Sequence, residues 1–249
     1  MTPGPARRAG GLLLALAGAA AFASLGAWQL GRANTKEQLV AAWQAALAAA
    51  PAPADGVLRD ADSLPPRTAG TTPDTGPALP LRVTARGRFD AARTFVLDNQ
   101  VRDGRAGIAV LAVFELDELP GGRALLVNRG WLPLDAARTP PAIDSGPADP
   151  VAIDGLLVAP PARGLRPAAH ATGAFLPWLD VGELEQASHR DLFEGILLLS
   201  ADSPLGYRRD WQPLPNTLPP ERHRGYAVQW FALALAVLVV WAVVAFRRR

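Results

Sequence analysis

The sequence predicts a membrane protein of the α+β class: two transmembrane helices flanking a β-rich antiparallel domain, barrel- or sandwich-like and extracytoplasmic. Three observations predict it. No charged side chain occurs from Ala9 to Leu30 or from Tyr226 to Phe246, and at about 1.5 Å per residue each run can cross the ~30 Å hydrocarbon core of a bilayer. Between them, from Leu79 onward, short runs of β-branched and aromatic residues are separated by turn signals, which is the pattern of strands.

Composition narrows the function. With 249 residues, 49% of them apolar, the chain can bury one core in addition to its spans. The formal net charge is +2, but Arg7, Arg8 and Arg247 to Arg249 lie outside the spans, so the stretch between the spans is slightly acidic. The basic balance therefore reports topology rather than a nucleic-acid surface. There is no cysteine, which excludes disulfides and thiolate metal sites. With Met1 the sole methionine and only His170, His189 and His223 as histidines, no soft-ligand cluster for Cu(I) exists.

Residues 1–8 form a short cytoplasmic N-terminus in which Arg7 and Arg8 mark the inner side. Residues 9–30 form the first transmembrane helix. Ala21-Phe22-Ala23 resembles a signal-peptide cleavage site, but the apolar run continues to Leu30, and an uncleaved anchor is expected. Ala15, Ala19 and Ala23 place small residues at i+4 spacing, a face suited to a helix partner. Residues 31–50 extend the helix as far as Pro51, and residues 51–78, rich in proline, read as a linker. The β-rich domain covers 79–220. Leu81 to Phe89 alternates as a half-buried strand, and Thr94 to Asp98 with Ile108 to Leu116 form a hairpin around Asp103-Gly104. Further strands are Ala124 to Asn128, Val151 to Val158, Phe175 to Val181 and Gly195 to Ser200, with one short helix from Glu183 to Arg190. Residues 221–246 are an interfacial segment and second transmembrane helix, and 247–249 a cytoplasmic, triple-arginine end. No room precedes Ala9 for an amphipathic presequence, so the expected setting is a bacterial inner membrane, both termini cytoplasmic and the main domain periplasmic.

The domain lacks GxSxG, HExxH, Walker-type and dinucleotide-type motifs, so no enzyme is expected. Asp117 and Glu118 belong to a turn. Asn128-Arg129-Gly130-Trp131 follows an apolar strand and suits a structural corner: Asn and Gly for a tight exit, Arg129 for an acidic neighbour, Trp131 over the end of a core. The other candidate is the outer end of the second span. There His223, Tyr226, Ala227 and Trp230 fall at i, i+3, i+4 and i+7 and put an imidazole, a phenol and an indole on one face. That face reads either as an aromatic interface anchor or as a binding site.

Three runs in order, LGAWQLGRANTKEQL at Leu25 to Leu39, LLVNRGWLP at Leu125 to Pro133 and HRGYAVQWFALA at His223 to Ala234, resemble the motifs of the surfeit-locus-one family of cytochrome c oxidase assembly factors. The resemblance implies a non-enzymatic protein that assists delivery of haem a to the catalytic subunit of a haem-copper oxidase, with haem a synthase as a further partner. It assigns His223 as axial ligand to the haem iron, with Tyr226, Ala227, Trp230 and Phe231 around it. The first-span motif falls on Trp28, Gln29, Arg32 and Lys36. In antiparallel spans Trp28 and Gln29 would lie level with about Ala227 to Gln229 and His223 roughly one turn further out. Haem propionates would then face Arg222 and Arg224. A membrane scaffold that stabilises an oxidase intermediate without haem is the alternative.

Overall fold

The computed structural model describes residues 5–62, 79–119, 122–160, 175–213 and 217–247. Most of the expected linker, the Pro120-Gly121 turn, His170 and Arg248 and Arg249 lie outside the described residues, as do the side chains of Arg7 and Arg8. The chain divides into two compact units, one of Met1–Ala41 with Gln212–Arg249 and one of Ala42–Trp211.

The first unit is a pair of antiparallel helices, each long and apolar enough to cross a membrane. Helix α1 runs Pro5–Ala48, and the expected extension is continuous with the span because no proline interrupts it before Pro51. Helix α4 runs Pro220–Phe246 and opens with proline, whose missing N–H is no loss in a first turn. Gly11 lies against Trp241 and Gly18 against Val237, while Phe22 and Trp230 stack with ring centroids 5.8 Å apart at 24°. Ala15 and Ala19 are buried, as the small-residue stripe predicts. Ala23 is only half-buried. The contact stripe advances instead through Phe22, Gly26, Gln29, Ala33 and Lys36, alternating steps of four and three, the spacing of left-handed helix pairs.

The second unit is sheet-rich. Its strands are β1 (Ala52–Pro53), β2 (Leu81–Arg102), β3 (Arg105–Leu116), β4 (Ala124–Pro133), β5 (Val151–Val158), β6 (Phe175–Leu176) and β7 (Leu192–Leu199). Pairing runs β2–β3–β4–β7–β5, and β5 pairs again with β2, so the ladder returns on itself. The sheet is mixed: β2–β3, β3–β4, β2–β5 and β5–β7 are antiparallel, whereas β4–β7 is parallel. Residues Ile108 to Phe114 of β3 are buried without alternation, because both sheet faces are covered. Phe114 and Ala112 enter one core with Val83, Phe89 and Leu157, and Leu111 and Val113 enter another beneath Leu176 and Leu184. Trp43 and Ala46, at the end of α1, pack with Leu156.

Several boundaries differ from expectation for local reasons. The first part of the linker folds as helix α2 (Ala54–Asp62), which buries Ala54 and Leu58, four residues apart, against the sheet. Leu81 to Phe89 and Thr94 to Asp98 are one strand, continued across an irregularity where the Asp90 carboxylate accepts the Ala92 N–H at 3.0 Å. The hairpin turn forms as predicted, with φ of 49° at Asp103 and 72° at Gly104, both in the region that such a turn requires. The strand expected from Phe175 to Val181 stops at Leu176, since Pro177 offers no N–H and Asp180 caps helix α3 (Val181–Ser188) through Gly182 and Glu183. That helix starts two residues before the expected Glu183 and ends at Ser188, capped by His189 at φ 52°.

Candidate functional site

His223 sits in the first turn of α4, one helical turn before Ala227, and both face α1. The residue is only 8% exposed. Its Nδ1 lies 2.7 Å from Oε1 of Gln29 on α1. A carbonyl oxygen can only accept, so this contact is a hydrogen bond when Nδ1 carries the proton; in the neutral ring of that form Nε2 keeps its lone pair. Nε2 is buried and, among the described residues, has no hydrogen-bond partner.

The surroundings are cationic. Lys36 is buried, one turn beyond Ala33, and its ammonium donates to the carbonyl of Leu218, just ahead of α4. The charges of Lys36 and Arg32 both act on the His223 ring. Arg224 forms an ion pair with Glu37 at 2.7 Å, in which both side chains are exposed and the net gain is small. Among the described residues no group of three or more His, Asp or Glu side chains could hold a metal ion. Any iron held here would depend on His223 and on groups outside that class.

Of the residues expected at this place, His223, Gln29 and Lys36 are brought together, and Trp230 is half-buried against Phe22. Trp28 is 58% exposed and Tyr226 39% exposed, both off the face between the helices. Arg32, Arg222 and Arg224 are exposed. The expected level is corrected by about one turn: His223 lies against Gln29, not further out. Rise per residue fixed the separation along each helix, while the offset between helices is set by packing, here Gly26 against Phe231 and Phe22 against Trp230. Glu37 carries no functional signal of its own in the sequence, and Phe22 stands out there only within Ala21-Phe22-Ala23. The steps of four and three through Phe22, Gln29, Ala33 and Lys36 carry the signal that would have found this face.

The motif Asn128 to Trp131 belongs to the β-rich unit and lies inside β4 rather than at a strand exit. Val110 pairs with Gly130 and Leu111 with Asn128, so Arg129 is the extra residue of a bulge. Asn128 Oδ1 accepts the Gly130 N–H at 3.1 Å, and Gly130 adopts φ 119°, a value open to glycine. The bulge turns Arg129 inward, where it is 1% exposed. Its Nε donates to the Leu205 carbonyl at 2.9 Å and its Nη2 to Asp144 at 3.2 Å, and its guanidinium lies over Phe89 and Tyr207. The hydrogen bond from Gly146 N–H first, and the Arg129 charge after it, hold the Asp144 carboxyl below the usual carboxylate range, against an opposing push from burial. Trp131 is buried, its indole donating to the Gln100 carbonyl at 2.8 Å. The corner reading is thus corrected in form: the motif clamps the segments around residues 144 and 205–208 onto the sheet.

Ala19→Leu tests the helix contact. A bulky side chain at this buried position separates α1 from α4, because close approach depends on small residues. In a Phe22→Cys, Trp230→Cys variant, disulfide cross-linking is expected to form with Ala19 in place and to fall when Ala19→Leu is added; equal yields would show that the stripe is not a contact.

No curated protein matches the chain. A family model described as the SURF1 family matches residues 16–235, a range containing Gln29, Lys36, His223 and the whole β-rich unit.

Proposed function

Because the chain belongs to the SURF1 family, a family associated with cytochrome oxidase assembly, we propose that it serves that assembly by holding haem a on its way to the catalytic subunit. The observation that supports this reading is His223: a buried imidazole whose Nδ1 is engaged and whose Nε2 is unpartnered. Neutral imidazole with one nitrogen bonded to a neighbour and the other bare is the form that ligates haem iron. The chemistry fits haem, and ligation requires that Nε2 first be uncovered.

In this reading the chain's residues divide the work. His223 offers the axial nitrogen, and the apolar faces of α1 and α4 suit a hydrocarbon tail. Arg222 and Arg224 suit propionates, Arg224 by exchanging its bond to Glu37. Trp28 and Tyr226, exposed at the same end, would pack on the macrocycle or anchor in the interface. The membrane would be a bacterial inner membrane, with the β-rich unit periplasmic and the arginine-bearing ends cytoplasmic. Partners would be the oxidase catalytic subunit and haem a synthase.

The covering of Nε2 favours one other reading, a scaffold that holds an oxidase intermediate without haem. Purification after co-expression with the haem a biosynthetic enzymes separates the two. Haem a in the pyridine-haemochrome spectrum of the parent protein, and its loss in His223→Ala, is the expected result. A colourless parent protein, or a His223→Ala variant with unchanged haem, would leave the scaffold.

A further inference from the structure

We propose that Gln29 is a positioning residue that sets the tautomer of His223, holding the proton on Nδ1 so that Nε2 keeps the lone pair a metal would need once that atom is uncovered. The inference rests on the haem reading only for its purpose, and its central measurement needs no haem. In water the neutral histidine ring favours the proton on Nε2, the opposite form, so the preference has to be imposed by a neighbour.

The geometry supplies one. Gln29 Oε1 stands 2.7 Å from Nδ1, across the helix pair and 194 residues away in sequence. The nearby cations, Lys36 and Arg32, have no acceptor capacity and cannot take an imidazole proton bond. Lys36 is already directed to the Leu218 carbonyl. The neighbouring carboxylate, Glu37, is engaged by Arg224. Gln29 is therefore the group that fixes the ring. A neutral amide also suits the place, since it accepts the hydrogen bond without burying a further charged group between the helices. Ring nitrogens opposite a metal are characteristically oriented in this way, through a bond made by the other nitrogen. The unpartnered Nε2 is what such an arrangement leaves before a ligand arrives.

Nitrogen-15 NMR of histidine-labelled full-length protein in lipid nanodiscs, free of haem, tests it. His223 signals, assigned by their loss in His223→Ala, are expected to show a protonated Nδ1 and a bare Nε2. In Gln29→Leu the proton should move to Nε2. Gln29→Met, also close in size, provides the same test if the leucine variant does not accumulate in membranes. A parent protein with Nε2 protonated, or a variant spectrum identical to the parent's, would overturn the proposal. Titration with ferric protoporphyrin IX adds a second readout: loss of the bond is expected to weaken binding about 10- to 100-fold, as for other groups that orient metal-ligating histidines. If the parent shows the expected tautomer but takes up no haem, the tautomer assignment to Gln29 stands and the haem reading falls.

Discussion

Arg129→Ala is expected to destabilise the β-rich unit by roughly 3–5 kcal/mol, the range for deleting a large buried side chain together with its charged hydrogen bonds. Three effects add. The Leu205 and Asp144 carbonyls lose a cationic donor, the space between Phe89 and Tyr207 is left empty, and the segments held by the clamp lose their tie to β4. A domain is stable by only about 5–15 kcal/mol, so the variant sits near its unfolding threshold. Asp144→Asn provides the contrast. The Asp144 side chain is 71% exposed, and losing the charge of an exposed partner costs about 1 kcal/mol or less. Urea unfolding of the full-length protein in detergent, followed by tryptophan fluorescence, should therefore show a large shift for Arg129→Ala and a small one for Asp144→Asn. Equal midpoints for Arg129→Ala and the parent would mean that the buried guanidinium is not a clamp.

Gly87→Ala is expected to lower stability by about 3 kcal/mol, the upper part of the usual range for overpacking. Gly87 pairs with Leu116 of β3 and with Val151 of β5, so strands close in on both of its sides. A Cβ there would meet the Glu115 carbonyl and stand 3.0 Å from the Leu116 Cα, which are backbone atoms that cannot swing aside. Since the Cβ itself makes the clash, Gly87→Val should be little worse than Gly87→Ala. For a domain of this size the thermal midpoint falls by roughly 2–4 °C per kcal/mol, a change readily followed by circular dichroism. An unshifted midpoint in the alanine variant would show that β2 relaxes away from β3 at no cost. Gly26 is the instructive counterpart: the three atoms nearest its notional Cβ all belong to the ring of Phe231, which can turn aside, so the corresponding penalty is smaller.

Much of the architecture was legible because it depends on rules along the chain. The apolar runs in α1 and α4 need only length and absence of charge. The Asp103-Gly104 turn needs only residues that tolerate positive φ. Strand β5 was bounded at Val151 and Val158 by its flanking prolines and its branched residues. Elements defined by what they meet were less legible. Asp90 to Arg93 reads as a break but is carried by pairing of β2 on either side. The segment after Pro51 reads as a linker but becomes helical where Leu58 finds a core. Nothing local distinguishes an arginine at a strand exit from one turned inward by a bulge, as Arg129 is.

Composition and period along the chain carried the two apolar helices, the strand-rich unit between them and the place of His223 near the start of the second helix. Tertiary structure alone decided that His223 meets Gln29, and that Tyr226 and Trp28 turn away. A bond between side chains 194 residues apart has no local signature: it depends on the axial offset and rotation of α1 against α4, which are fixed by Gly26 seating Phe231 and Phe22 stacking on Trp230.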